Sequence, residues 1–132
     1  MPLISGEFEV KMAAEPLAAL TENSGIGRMT LDKRYTGPLD AVGKGEFLAY
    51  RSSVPTAAAY VAMEVVEGVL EGRKGSFALQ HGGVMGGPYD GLRIIVVPDS
   101  GTGELEGLSG KIDIRRDGGK HFYDFDYTLG GA

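Results

Sequence analysis

Glu64 and His81 are the two residues whose types and setting best suggest chemistry. They lie in two apolar, alternating segments, residues 57–70 and 74–85. If Gly72-Arg73 form a two-residue hairpin loop, Glu71 faces Lys74, Gly68 faces Phe77, Val66 faces Leu79 and Glu64 faces His81. Tyr60, Ala62, Glu64, Val66 and Gly68 then share one face with Phe77, Leu79 and His81. A carboxylate beside an imidazole in such a setting can move a proton, because burial and the partner's charge tune both groups. The same pair can equally be structural, each group satisfying the other.

The C-terminal segment repeats the pattern. His121, Tyr123, Phe125 and Tyr127 alternate along residues 120–129. With Asp117-Gly118 as the loop, Ile114 faces His121 and Ile112 faces Tyr123. Together with Tyr60, Phe77 and Leu79, the residues Tyr123, Phe125 and Tyr127 are candidates to line a small hydrophobic ligand. They serve as plain core in the alternative reading. His121, near the hairpin end, is expected to be exposed. Asp124, Asp126 and Thr128 fall on the opposite, wetter face.

Other motifs carry less. Asp99-Ser100-Gly101-Thr102 matches the short aspartic protease signature, but it occurs once, and its residues are turn formers. The glycine clusters miss both the dinucleotide spacing and the Walker lysine motif. His81-Gly82-Gly83 has no accompanying nucleophile elbow. The two histidines are forty positions apart and cysteine is absent, so no metal, cofactor or disulfide is expected.

The elements that position these residues are strands. Residues 5–12, 28–35, 39–52, 57–70, 74–85, 91–97, 111–116 and 120–129 alternate or carry strand-forming residues, with glycine- and proline-rich turns between them. Gly43 and Gly45 interrupt the third segment and suggest a bulge or sharp coiling. Residues 13–23 read as one or two helical turns or as an extended arm. The fold expected is all-β, a closed eight-stranded antiparallel up-and-down barrel with little helix, ahead of a sandwich. Closure removes the edges and suits the many glycines, 22 of 132 residues.

That length suits a single domain over residues 1–132. A net charge of −5 argues against nucleic acid or an anionic membrane as partner. The longest apolar run, residues 57–63, is far short of a membrane helix. Glu7, Glu9 and Lys11 alternate where a leader would be apolar, so the cytoplasm is the expected compartment. Val61, Met63, Val65 and Val69 make the second face of residues 60–69 apolar as well. Self-association, most simply as a dimer, is therefore expected.

Several blocks together resemble a known family. They are Arg28-Met29-Thr30-Leu31-Asp32-Lys33, Gly45-Glu46-Phe47-Leu48-Ala49 and Tyr60-Val61-Ala62-Met63-Glu64. Gly72-Arg73-Lys74-Gly75-Ser76-Phe77-Ala78-Leu79-Gln80-His81, Val97-Pro98-Asp99-Ser100-Gly101-Thr102-Gly103-Glu104-Leu105 and Phe125-Asp126-Tyr127-Thr128-Leu129 complete the set. The chain resembles a bacterial family of small domains of unknown function whose fold is similar to the allene oxide cyclase barrel. That resemblance implies a barrel, and by analogy a cyclase- or isomerase-like activity on an apolar substrate. The alternative is a non-enzymatic carrier, or an oligomeric module whose barrel is filled by side chains.

Overall fold

The structure is a computed structural model that describes residues 3–130. Its strands are β1 (Leu3–Glu15), β2 (Ile26–Thr36), β3 (Leu39–Arg51), β4 (Ala58–Leu70), β5 (Arg73–Met85), β6 (Gly91–Val96), β7 (Ser109–Asp117) and β8 (Lys120–Thr128). Each pairs antiparallel with the next, and β1 pairs with β8, which closes an eight-stranded up-and-down barrel. Helix among the described residues is limited to two 3₁₀ turns, Ala19–Thr21 and Gly103–Leu105. The stretch after β1 is thus mostly an arm with one tight turn. No helix among the described residues is long and apolar enough to cross a membrane.

Both hairpin registers differ from the sequence expectation by two residues. The β4–β5 turn is Glu71-Gly72, so Leu70 pairs with Arg73, Ala62 with His81, Glu64 with Leu79 and Val66 with Phe77. Glu71 and Gly72 both have positive φ, 46° and 84°, which suits a tight primed turn matching strand twist. Gly72 accepts this conformation readily at the second turn position, and Arg73 joins the strand. The β7–β8 turn is likewise Gly118-Gly119, so Ile114 pairs with Tyr123 and Ile112 with Phe125. A shift of two keeps every side chain on its face, since the strand period is two. Glu64 and His81 therefore stay on the inner face, as diagonal rather than direct neighbours.

No bulge interrupts β3, whose pairing with β4 is continuous from Leu39–Leu70 to Arg51–Ala58. Gly43 and Gly45 instead leave room inside the barrel. A Cβ on Gly43 would run into Glu64 Oε2 and the Tyr35 ring, and one on Gly45 into the Met63 carbonyl and Glu64 Cα.

The barrel has a closed end and an open end. At the closed end Tyr35, Leu39, Leu70, Phe77, Leu79, Tyr123 and Phe125 are fully buried. Tyr123 donates its hydroxyl to the Thr36 carbonyl (2.8 Å) and accepts from the Leu39 amide (3.0 Å). The chain after β6 completes this end. Ser100 and Thr102 accept hydrogen bonds from the β5 amides of Ala78 (3.0 Å) and Ser76 (3.1 Å). Leu105 and Leu108 are then buried beneath the barrel. The Asp99-Ser100-Gly101-Thr102 motif is thus a turn whose hydroxyls dock a loop on β5.

The other end is uneven. β1 to β5 run on where β7 and β8 have stopped. β8 pairs with β1 only as far as Phe8, so residues 9–15 extend roughly 20 Å without a β8 neighbour. β6 and β7 share two residue pairs, Ile94–Ile112 and Ile95–Lys111. The inner face there carries Val10, Met29, Phe47, Ala49, Tyr60 and Gly83, all half-buried.

Candidate functional site

Where the solid core gives way to the open end, a charged cluster crosses the barrel interior. β4 carries Glu64 to this level, β5 carries His81, and β2 carries Lys33 and Tyr35. Glu64, His81 and Lys33 are the buried polar and charged residues of the described chain, only 1%, 3% and 6% exposed. Glu64 is the hub. Its Oε1 accepts from His81 Nε2 (2.8 Å) and Lys33 Nζ (3.1 Å), and its Oε2 accepts from the Tyr35 hydroxyl (2.6 Å). Lys33 Nζ also lies over the Phe8 and Tyr35 rings, 5.2 and 5.8 Å from their centroids. This adds cation–π attraction to the ion pair.

The gap between strands explains how the groups meet. β2 and β4 are separated by β3, so their backbones are roughly 10 Å apart. Lys33 pairs with Gly43, and Glu64 with Gly45. With no side chains at these two inward positions, the long arms of Lys33 and Glu64 close over β3.

Burial pushes the Glu64 carboxyl up, but the His81 hydrogen bond, the Lys33 charge and the Tyr35 hydrogen bond outweigh it. The carboxyl is held below the ordinary glutamate range. Burial first, then the adjoining Glu64 carboxylate, holds the Tyr35 hydroxyl well above the usual tyrosine value, so it remains a donor. An ionised carboxylate only accepts hydrogen bonds, so His81 Nε2 carries a proton. His81 Nδ1 has no hydrogen-bond partner among the described residues, and no buried side-chain nitrogen or oxygen there lacks one. Nδ1 is therefore the imidazole atom that solvent reaches. A carboxylate on one ring nitrogen and an open second nitrogen is the arrangement of an oriented base.

The other candidates separate by position. Phe77, Leu79, Tyr123, Phe125 and Tyr127 pack in the closed half, with Phe77–Phe125 centroids 5.8 Å apart and Phe125–Tyr127 5.3 Å apart. Tyr60 lies at the open end, edge-on to Phe47 at 5.9 Å. His121 is half-buried rather than exposed, because it rests 5.3 Å from the Phe8 ring. Two broad grooves, about 640 and 600 Å³, run along β3–β5, and both are lined by outward-facing Leu48, Val61 and Gln80 and by His81.

Sequence reasoning missed Lys33 and Tyr35 as partners of Glu64. Their signal was a lysine on the same alternating face as Met29, Leu31 and Tyr35, followed by two glycines in the next strand.

Known proteins extend this picture. The model of the family described as a protein of unknown function (DUF3224) matches residues 4–127. The crystal structure of a protein with unknown function from the DUF3224 family of Shewanella oneidensis MR-1 is similar throughout. It shares 44% identity over 100% of this chain and 99% of that one, with a TM-score of 0.91. No curated protein matches the chain.

Proposed function

The chain belongs to the DUF3224 family, and we propose that it binds a small, mostly apolar molecule in the open half of the barrel. The molecule's polar end meets His81, and the reading includes a proton-transfer activity of the cyclase or isomerase kind. The observation that carries it is the His81 imidazole, held by an ionised Glu64 on one nitrogen and open on the other. Such a base takes a proton at Nδ1 from one atom of the ligand and returns it to another, with no net oxidation. Glu64 stabilises the imidazolium formed in between. Lys33 and Tyr35 keep Glu64 ionised and in place. The likeness to the allene oxide cyclase barrel expected from the sequence agrees with this chemistry.

Titration with the neutral apolar fluorophore N-phenyl-1-naphthylamine tests the binding half. Saturable one-to-one binding is expected, weakened at least about tenfold by Ala49→Trp, which fills the open end. Absence of saturable binding, or binding indifferent to Ala49→Trp, removes the proposal. Turnover of a captured ligand should then be lost in His81→Ala.

A second reading, a carrier or a structural barrel, is favoured by one observation. The Glu64 carboxylate already accepts from His81, Lys33 and Tyr35, so it is satisfied without a ligand. A carrier binds the probe as above, yet its captured molecule leaves unchanged.

A further inference from the structure

We propose that the outer face of β3, β4 and β5 is an interface with a second copy of this chain, independent of the interior site. Leu48, Tyr50, Val61, Met63, Val65 and Val84 form this face, between 42% and 59% exposed. They are contiguous. Leu48 pairs with Val61, Tyr50 and Val84 flank Ala59, and Met63 and Val65 continue along β4. The outward face of an antiparallel sheet is ordinarily polar. Half the surface of six such side chains is on the order of 500 Å², near the upper end of what a monomer carries in one patch. It is also most of the roughly 800 Å² that each partner gives to a standard interface. Closure pairs all three strands on both sides, so no partner can add a strand here. It must meet the sheet face on.

Two features select a second copy as the occupant. The groove of about 640 Å³ runs between this face and the arm after β1, lined on the arm side by Leu17, Ala18 and Thr21. Leu20, on the 3₁₀ turn of the same arm, stands 95% exposed. An apolar knob beside an apolar recess suits a two-fold axis, since each protomer can insert its Leu20 into the other's groove. The rim carries both signs. Arg28 and Glu46 are paired at 2.6 Å, and Lys44, Glu67 and Arg93 stand on the same outer face. Such a rim can complement itself, whereas a single-signed rim would repel its copy.

Sedimentation equilibrium of the full chain at micromolar concentrations tests this. A mass of twice 13.9 kDa is expected. Val61→Glu and, separately, Val65→Lys should give monomers with unchanged circular dichroism, the second guarding against misfolding of the first. Leu20→Ser should weaken dimerisation at least about tenfold. A mass of 13.9 kDa throughout, or a dimer as tight in both sheet variants, overturns the proposal. A dimer unaffected by Leu20→Ser overturns the reciprocal insertion.

Discussion

The two halves of this barrel solve the filling problem in opposite ways. At the closed end, large inward side chains such as Phe77, Phe125 and Tyr127 meet across the axis, with Leu105 and Leu108 beneath them. Toward the open end small inward residues, Gly43, Gly45, Ala49, Ala62 and Gly83, alternate with larger Met29, Phe47 and Tyr60, while the surrounding strands are unequal in length. The closed half is lined mainly by apolar and aromatic side chains. The boundary layer holds four ionisable groups, Lys33, Tyr35, Glu64 and His81, at almost complete burial. An eight-stranded barrel is just wide enough for side chains to fill, and here long neighbours cover the bare positions, Glu64 over Gly43 and the Tyr60 ring over Gly83. Buried ion pairs seldom improve on apolar packing, which makes the boundary cluster costly as mere structure. That cost is the reason to look for function there.

The contrast can be broken at its boundary first. Glu64→Ala strands Lys33 without its partner and should cost about 3–5 kcal/mol in urea unfolding. Glu64 also gives stability a pH signature. Its folded pKa lies below the unfolded value, so the stabilisation is full above about pH 4.5 and fades as pH falls through the folded value. Unfolding followed from pH 7 down to pH 3 should show this loss, and Glu64→Gln should flatten it. Flat behaviour in the parent protein would mean that the carboxylate is not held by its partners.

Next comes the packing itself. Leu79→Ala in the closed half should cost about 2–5 kcal/mol, while Leu92→Ala at the half-exposed rim should cost under about 1 kcal/mol. Equal losses in thermal unfolding would erase the distinction between the two ends. Gly43→Ala sharpens the role of the glycine gap. Its methyl must displace the Glu64 carboxylate or the Tyr35 ring, at about 1–3 kcal/mol. Tyr35→Phe removes one bond to Glu64 Oε2 and should cost about 1–2 kcal/mol, less than the loss of the whole carboxylate. A Tyr35→Phe protein as stable as the parent would show that Lys33 and His81 suffice to hold the carboxylate.

The eight strands were legible in the residues, because two-residue alternation and short glycine turns are local signals, whereas closure was only the favoured arrangement ahead of a sandwich. The inward placement of Glu64 and His81 was legible for the same reason, and it survived a register error of two at the β4–β5 turn. Which inward residues touch was decided by the tertiary structure. Lys33 and Glu64 are 31 positions apart and lie on strands that do not pair, so no hairpin rule relates them. Their contact depends on the curvature of the closed sheet and on Gly43 and Gly45 leaving the intervening strand bare. The state of the ligand candidates was decided there too. Alternation places Phe77 and Tyr60 on the same face, but only strand lengths and the Leu105 plug bury one and leave the other at the open end. Sequence pattern fixes the side of a sheet on which a residue stands, because that depends on its own strand. Depth within the barrel depends on where all eight strands end, and that is a property of the assembled fold.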